Sequence, residues 1–433
     1  MTTANKSSRR AIRSLAENYR VIRSYPGLAA LLPGVFINSL GGAMVVVSVA
    51  WLALEIAPSG YEGAWVALCL GALYVPGIVG RFALSRLFAV LDGRAIIVLD
   101  AFVRAASYVL IVVTYHAGGL SGGVYLGLLA VGSVTAPWAR GGLHEIVATT
   151  VGAEDRLAAN SWLMAQGSIA TIVGPAVGGI VAAAANPAVV FACAALAAAT
   201  LMFVVILSVR RRPSSVPSSR ARGSLTSSGW AAIRSNSVVL HLLILTFCVG
   251  FLFGFLEVAL PLYVLNSFGS NALGLGAMWS LFGAGAVLGS FLSTLYGRLQ
   301  FWTAAVLTTA LWAVAITLVG LAPGFALATA FMASAGVVYA PYQAVASTFI
   351  QTSFSSVQLP SVGAAWSSIM MVAAPVGYFV GGPLLQVLSP RTVVVISGVA
   401  TLAVALGGVL LGWLRRREGR IEQEMPGHSF GAE

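Results

Sequence analysis

Several short motifs occur twice in this chain, and their two copies are separated by almost the same number of residues. Because one offset links motifs that are scattered over most of each half, the halves are degenerate copies of one unit. Each copy is a run of apolar segments, so the sequence predicts two similar helical bundles in tandem. The repeated motifs are Leu91-Asp92-Gly93-Arg94 with Leu295-Tyr296-Gly297-Arg298, Ala136-Pro137 with Ala340-Pro341 and Trp162 with Trp366, each 204 positions apart, and Gly178-Gly179 with Gly381-Gly382, 203 positions apart.

The composition excludes a water-soluble protein. Hydrophobic residues make up 58% of the chain and charged residues only 9%, whereas ordinary globular domains contain roughly 25% charged residues. Hydropathy predicts twelve spans, of which the fourth covers residues 122–141, and each is long enough to cross a bilayer. We therefore expect an all-α polytopic membrane protein with twelve transmembrane helices in two pseudo-twofold-related six-helix bundles.

The charged residues indicate how the chain is oriented in the membrane. Basic residues give a net charge of +11 and lie almost entirely in the loops of one side, with Arg391 alone on the other. The positive-inside rule then places both termini in the cytoplasm. Basic segments on that side would contact the lipid bilayer, so no nucleic-acid partner is expected. Arginine greatly outnumbers lysine, which is typical of bacteria with GC-rich genomes, and we expect a multi-pass protein of a bacterial cell membrane.

One polar stretch, rich in Ser, Arg and Pro, divides the twelve spans into six and six. Its last residues, Gly229 to Asn236, are expected to form a short helix at the membrane surface. The predicted domains are a cytoplasmic N-terminal segment over 1–28, an N-terminal six-helix bundle over 29–209, a cytoplasmic linker over 210–237, a C-terminal six-helix bundle over 238–414 and a cytoplasmic tail over 415–433.

The duplicated helical plan is typical of secondary transporters, whose substrate site lies between the repeats near the middle of the bilayer. The four histidines are dispersed, and the sequence contains no phosphate-binding Gly-x-x-x-x-Gly-Lys-Ser/Thr loop. Because no convergent catalytic set is found, we expect neither an enzyme nor an ATP-driven pump, and no cofactor or metal. A membrane-embedded enzyme remains a remote alternative.

Asp100 and Arg104 are four residues apart in the third span, so they share one helix face. A charge inside the membrane costs several kcal/mol on insertion scales, and such groups therefore pair or face water. The spacing favours a structural ion pair of Asp100 with Arg104 or with Arg81. The alternative is that Asp100 carries protons.

Glu257 lies inside the seventh span, with no basic residue within several helical turns in the sequence. Removal from water disfavours a carboxylate, so this side chain is expected to bind a proton near neutral pH. An antiporter needs such a group, and we predict that Glu257 couples proton movement to transport or contacts the substrate. The alternative is an acid that is permanently neutral or faces water.

Three stretches carry a resemblance to a known family: Leu91 to Arg104, Glu145 to Trp162, and Gly229 to Asn236 followed by Gly254 to Tyr263. With the repeat and the twelve spans, they make the whole chain similar to the major facilitator superfamily. Within it, the chain resembles the bacterial drug:proton antiporter branch, which includes macrolide and siderophore exporters. The resemblance implies the major facilitator fold and a monomer.

The resemblance also implies roles for two motifs. Asp92, Gly93 and Arg94 match the loop signature between the second and third spans, where an acid and a base brace helix ends, and we add Arg104 to this gating brace. The match is eroded, because only one arginine follows the glycine and Tyr296 replaces the acid in the second copy. The fifth span matches the antiporter signature, which is typical of exporters, or else is a proline-kinked packing helix. Its matching residues are Gly167, Gly174, Pro175, Gly178 and Gly179.

Polar and aromatic residues inside the spans suggest a large apolar cavity with a few polar groups, which suits a lipophilic small molecule. We predict export of a drug, antibiotic or natural product in exchange for protons. An importer, a uniporter or a lipid flippase on the same scaffold remains open. The candidate cavity residues are Asn38, Gln166, Tyr339, Tyr342, Trp366 and Tyr378.

Overall fold

The structure is a computed structural model that describes residues 24–84, 88, 91–152, 154–209, 228–296, 299–355 and 357–417. Most of the predicted N-terminal segment, linker and tail lie outside the described residues, and so do Gly297 and Arg298 of the repeated loop motif.

The described residues form α-helices and contain no β-strand. Residues 228–235 are helical, at the place where a surface helix was expected. The long helices are α1 (Pro26–Ile56), α2 (Glu62–Ala83), α3 (Gly93–His116), α4 (Gly122–Ser133), α5 (Ala136–Thr150), α6 (Arg156–Ala184), α7 (Pro187–Ser208), α8 (Ser237–Phe268), α9 (Ala272–Tyr296), α10 (Phe301–Leu321), α11 (Phe325–Ser353), α12 (Leu359–Val387) and α13 (Pro390–Arg417).

Twelve segments of the described chain are long and apolar enough to cross a membrane, with α4 and α5 together forming one of them. The predicted all-α fold with twelve spans is confirmed. The fourth span is longer than hydropathy predicted, because the helix continues to Thr150 rather than ending at residue 141. Arg140, His144 and Glu145 lower the hydropathy of that last part without breaking the helix.

Helix positions reproduce the repeat seen in the sequence. The helices α4, α6 and α7 begin at residues 122, 156 and 187, and α11, α12 and α13 begin at residues 325, 359 and 390. Each of these pairs is 203 residues apart, which is the offset of the Gly-Gly motif. The copies differ at the repeated proline, because Pro137 lies in the first turn of α5, after a break, whereas Pro341 lies inside the continuous α11.

Short polar side chains mark where several helices begin. The Oδ1 of Asp92 accepts the Ala95 N–H at 2.9 Å at the start of α3. The Oδ1 of Asn236 accepts the Val239 N–H at 3.1 Å at the start of α8. These bonds satisfy backbone donors that have no partner within the helix.

The chain divides into two compact units. Unit one contains the described residues of Met1–Leu52 and Ala72–Pro217, and unit two contains those of Ala53–Gly71 and Ser218–Glu433. The division cuts α2 at Gly71, so the first part of that helix belongs to unit two. The bundle boundaries drawn from the sequence stay a prediction.

Small residues let helices approach closely in both units. In unit one, a Cβ on Gly41 of α1 would lie 2.8 Å from the Cβ of Ala197 in α7. In unit two, a Cβ on Gly336 of α11 would overlap the carbonyl oxygen of Phe282 in α9. Lipid supplies no hydrophobic force between helices, so this close backbone packing is what holds them together.

We predict that Gly336→Leu destabilises the protein, because the added side chain meets backbone rather than a flexible side chain. Overpacking of this kind costs about 1–3 kcal/mol. Gly407→Leu in α13 is the matched control, since nothing lies within 4 Å of a Cβ at that position. Thermal unfolding of both variants in detergent, followed by size-exclusion chromatography, measures the effect. Equal melting temperatures would contradict the packing role of Gly336.

Candidate functional site

Asp100 of unit one and Glu257 of unit two both lie inside membrane-crossing helices, and their surroundings differ. Asp100 lies on α3 in unit one and is fully buried. Glu257 lies on α8 in unit two and is half-buried. The partners of these two carboxylates determine which of them can exchange a proton.

Both oxygens of the Asp100 carboxylate are occupied. Arg104, one turn further along α3, forms an ion pair with Oδ2. The hydroxyl of Thr135 donates to Oδ1 at 2.8 Å. This pairing is the one that the spacing of four residues favours, and the carboxylate is fully buried. The geometry supports a structural role for Asp100 and Arg104.

The break between α4 and α5 brings Thr135 to Asp100. Pro137 cannot donate a backbone hydrogen bond, so a new helix starts there and Thr135 lies at its N-terminal end. The break packs against α2, where a Cβ on Gly80 would lie 2.6 Å from the Val134 carbonyl oxygen. Trp138 also donates from Nε1 to the Gly80 carbonyl at 3.3 Å. The repeated Ala-Pro motif therefore supports the buried charge pair.

Glu257 has a different partner. The hydroxyl of Tyr378 on α12 donates to Glu257 Oε2 at 2.7 Å, and the tyrosine ring is buried. No basic side chain pairs with Glu257 in the part of the chain that the structure describes. The carboxylate is thus held by a neutral donor, and its charge has no resident counter-ion there.

Two glycines explain why Tyr378 reaches Glu257. A Cβ on Gly254 would lie 2.5 Å from the Ala374 carbonyl oxygen and 2.9 Å from the Cα of Gly377. The backbones of α8 and α12 therefore cross almost in contact, and Glu257 lies one turn beyond Gly254. The hydrogen bond depends on this glycine crossing.

The antiporter-type motif occupies the equivalent crossing in unit one. A Cβ on Gly178 of α6 would lie 2.6 Å from the Met44 carbonyl oxygen of α1, and one on Gly174 would overlap Ala43. Pro175 and Gly179 are buried beside them, whereas nothing lies within 4 Å of a Cβ at Gly167. Adding 203 to positions 174 and 178 gives Gly377 and Gly381 of α12. The role of this motif in export stays a prediction.

Three residues of the gating brace, Asp92, Gly93 and Arg94, lie where the ends of α1, α3, α5 and α7 meet. Asp92 caps α3, and Arg94 donates from Nη2 to the Ile206 carbonyl at 2.9 Å near the end of α7. Gly93 touches Gly142 of α5, since a Cβ on Gly93 would lie 2.7 Å from the Gly142 carbonyl oxygen. A cavity of about 390 Å³ adjoins these residues. Arg104 lies apart from them, against Asp100, and the gating role of the set stays a prediction.

Two of the predicted cavity residues belong to unit one. Asn38 is a half-buried residue of α1. Gln166 on α6 has a buried Oε1 that accepts no hydrogen bond within the described chain. A buried acceptor without a partner can take a hydrogen bond from a ligand, so its surroundings fit the predicted role.

Three further cavity candidates lie in unit two and have different surroundings. Tyr342 is buried, and its hydroxyl lies 2.6 Å from that of Thr246. Trp366 packs against the same hydrophobic cluster, so both side chains lie among packed core residues. Tyr339 is half-buried, and its hydroxyl accepts a hydrogen bond from Gln343 at 2.7 Å.

The sequence reasoning missed a group of aromatic side chains around Tyr339. They come from three helices and Tyr339 comes from a fourth, so no sequence window contains them together. Two spacings in the sequence could have indicated this group: Phe253 lies four residues before Glu257, and Trp279 lies three residues before Phe282. The missed residues are Phe253 on α8, Trp279 and Phe282 on α9 and Trp312 on α10.

Comparison with known proteins identifies the fold. The sequence profile of the Major Facilitator Superfamily matches residues 31–356, and no curated protein matches the sequence. A bacterial homologue of the human lysosomal transporter Spinster, in an inward-facing and occupied conformation, is similar with a TM-score of 0.69 and 14% identity over 94% of this chain and 99% of that chain. The unoccupied form of the same homologue is similar with a TM-score of 0.69 and 13% identity, again over 94% of this chain and 99% of that chain.

A mutant of the nucleoside transporter NupG is also similar, with a TM-score of 0.69 and 12% identity over 89% of this chain and 99% of that chain. At these identities the likeness shows the fold alone. The expected major facilitator fold is confirmed, while the drug:proton antiporter branch stays a prediction. Among the described residues, no group of three or more His, Cys, Asp or Glu side chains could hold a metal ion.

We predict that Asp100→Asn destabilises the protein, because it leaves the Arg104 charge buried without its partner. Breaking a buried pair from one side costs on the order of 3 kcal/mol. The double variant Asp100→Asn with Arg104→Met removes both charges and should recover much of the lost stability. Thermal unfolding in detergent measures both. A stable Asp100→Asn protein that no longer couples transport to protons would instead support proton carriage.

Proposed function

Because the chain belongs to the Major Facilitator Superfamily, we propose that it exports a hydrophobic small molecule in exchange for protons by alternating access. The family and the solved structures of similar fold make it a transporter rather than an enzyme. The export direction, the proton coupling and the substrate class are the proposal.

The surroundings of Glu257 carry this proposal. Glu257 lies within a membrane-crossing helix of 32 residues, and its polar contact in the described chain is the Tyr378 hydroxyl. A charge in such a place is costly unless it is compensated. Binding of a proton removes that cost, so the carboxylate has a physical reason to change its protonation during the transport cycle.

The antiporter-type motif supports the export direction. In relatives this motif is typical of exporters, and here its glycines pack directly on the first helix of their own unit, at Ala43 and Met44. A larger residue at Gly174 or Gly178 would push the two helices apart. This smooth contact suits helices that must stay packed while the protein changes conformation.

We propose that the protein is a monomer in a bacterial cell membrane with both termini in the cytoplasm, and the charge distribution supports this orientation. In this orientation protons enter down both the potential and the pH gradient. Each proton that moves down a potential of about 100 mV supplies about 2.3 kcal/mol when the exported molecule is neutral.

We predict that Glu257→Gln abolishes proton-coupled export and leaves a folded protein. Glutamine keeps an acceptor for the Tyr378 hydroxyl but cannot bind and release a proton. The measurement is efflux of a fluorescent lipophilic dye from proteoliposomes of known orientation, driven by an imposed pH gradient. Glu62→Gln is the control, because that carboxylate accepts the Gly60 N–H at the start of α2 and the glutamine can do the same.

Counterflow in the absence of a pH gradient distinguishes loss of proton coupling from loss of transport itself. A Glu257→Gln protein that still exchanges dye but ignores the pH gradient has lost coupling alone, as proposed. Full gradient-driven efflux in this variant would remove Glu257 from the mechanism. Gradient-independent transport by the unmodified protein would make it a uniporter.

A further inference from the structure

Arg140 is a charged residue deep inside the fourth membrane-crossing segment, which runs from Gly122 to Thr150. A helix rises about 1.5 Å per residue, so this segment is about 43 Å long and Arg140 lies about 15 Å from its end at Thr150. The hydrocarbon core of a bilayer is about 30 Å thick. When the segment is centred in the bilayer, Arg140 is therefore within the hydrocarbon core.

Arg140 belongs to a face of α5 that the described chain leaves uncovered. Arg140, Gly141, His144 and Ala148 are exposed, and their spacings of three and four residues place them on one side of the helix. We call these four residues the open face of α5. Nothing lies within 4 Å of a Cβ at Gly141, so there is unfilled space directly beside the arginine.

The other side of α5 is packed against its own unit. Gly142 touches Gly93 of α3, since a Cβ on Gly142 would lie 2.7 Å from the Gly93 carbonyl oxygen. Glu145 lies on this packed side, 3.3 Å from the position of a Cβ on Gly93. It is roughly 140° around the helix from Arg140. The acid nearest to Arg140 along the chain therefore points away from the open face.

The charges around Arg140 do not balance. Arg140 interacts electrostatically with Arg104 of α3, while Arg104 forms its ion pair with Asp100. Among the residues that the structure describes, Arg140 has neither an ion pair nor a hydrogen bond. One carboxylate thus accompanies two guanidinium groups. A charge at this depth is costly unless it is paired or meets water, so the open face must adjoin a passage for polar groups rather than lipid.

We propose that the open face of α5 binds the carboxylate of an amphipathic organic anion, with Arg140 as its counter-ion. The guanidinium group presents two parallel N–H donors to a carboxylate, and the His144 imidazole, one turn away, adds a third donor. The apolar part of the ligand occupies the space beside Gly141. This assignment rests on the proposed function, because it names the class of hydrophobic molecule that is exported.

The assignment also determines the electrical character of the exchange. Outward movement of a monovalent anion and inward movement of a proton shift charge in the same direction. One cycle then moves two elementary charges and a neutral substrate moves one, so the membrane potential acts twice as strongly on the anion exchange. Efflux of the anion from proteoliposomes should depend more steeply on an imposed potassium diffusion potential than efflux of its neutral amide.

The test compares two ligands of nearly the same shape, of which one is charged. Dansylglycine, a carboxylate at neutral pH, and dansylglycinamide are titrated against the purified full chain in phosphatidylcholine nanodiscs. Empty nanodiscs correct for partition into the lipid. We expect saturable binding of dansylglycine, at least about tenfold tighter than that of the amide, because a hydrogen-bonded charge pair is lost in the amide. Equal binding of the two ligands would overturn the assignment.

Replacing the arginine tests whether it is the counter-ion. Arg140→Gln should remove the preference for the carboxylate and leave binding of the amide nearly unchanged. Arg140→Lys keeps the charge but loses the paired donors, so it should keep part of the preference. Arg234→Gln is the control, because this exposed arginine precedes α8 and lies outside the membrane-crossing segments. A preference that persists in Arg140→Gln contradicts the proposal.

Filling the open space tests where the ligand lies. Gly141→Leu meets no protein atom within 4 Å of its Cβ, so the variant should unfold at the same temperature as the unmodified protein. It should nevertheless weaken dansylglycine binding by about tenfold or more, because the leucine occupies the place of the ligand. Gly407→Leu, at another open position, is the control. Undiminished binding in Gly141→Leu shows that the ligand lies elsewhere.

The lipid headgroup is a second source of anions, and the lipid composition separates it from a solute. The titration is repeated in nanodiscs that contain phosphatidylglycerol. Unchanged affinity for dansylglycine supports the assignment to a transported solute. If phosphatidylglycerol abolishes saturable binding, the open face binds an anionic headgroup and the assignment fails.

Failure of this assignment is distinguishable from failure of the proposed function. Binding that prefers the carboxylate, without any efflux driven by a pH gradient, supports the site and contradicts proton-coupled export. Proton-coupled efflux of a neutral lipophilic dye, without a preference for the carboxylate, contradicts the site and leaves the proposed function standing.

Discussion

Direct backbone contact between the first and fifth spans of each copy, α1 with α6 and α8 with α12, is the constraint on which the rest of the structure depends. In unit one, Gly174 and Gly178 pack on α1, and in unit two Gly377 lies against Gly254 of α8. Any side chain at these positions would separate the helices, and lipid provides no hydrophobic force to bring them back. In unit two the same contact places the Tyr378 hydroxyl 2.7 Å from the Glu257 carboxylate. The close contact of α8 with α12 is therefore required both for helix packing and for the Tyr378–Glu257 hydrogen bond.

The two copies use this common scaffold for different purposes. Ala43 occupies on α1 the place that Gly254 has on α8, and three residues further on, the first copy has Val46 where the second has Glu257. The first copy keeps its buried acid elsewhere, at Asp100, where an arginine and a threonine occupy both oxygens. Duplication has preserved the helix contacts, while the acids have diverged in position and in partners.

Much of this arrangement follows from the sequence, because hydropathy and a fixed offset are one-dimensional signals. Hydropathy predicts the twelve spans, the fixed offset reveals the repeat, and a spacing of four residues predicts the pairing of Asp100 with Arg104. The group of aromatic side chains around Tyr339 could not be predicted in this way, since Phe253 and Tyr339 are neighbours only after α8 and α11 pack. The contact of Thr135 with Asp100 was also hidden, because it follows from a break that the same Ala-Pro motif does not produce in α11. Aromatic residues in an apolar helix look alike whether they face lipid, core or ligand, so Tyr342 could not be separated from Tyr339 in advance.

The contrast between the two acids leads to a general condition for coupling. A carboxylate inside the membrane must be neutralised, either by a proton or by a positive charge. Asp100 has a permanent positive partner in Arg104, so nothing has to bind or leave when the protein changes conformation. Glu257 has no such partner in the described chain, and a tyrosine hydroxyl cannot cancel its charge. Under the proposed function, Glu257 passes between conformations only with a proton bound or with a substrate that compensates its charge. The empty, ionised carboxylate is then the form in which the exchange cannot proceed, and this prohibition is what prevents protons from leaking without transport.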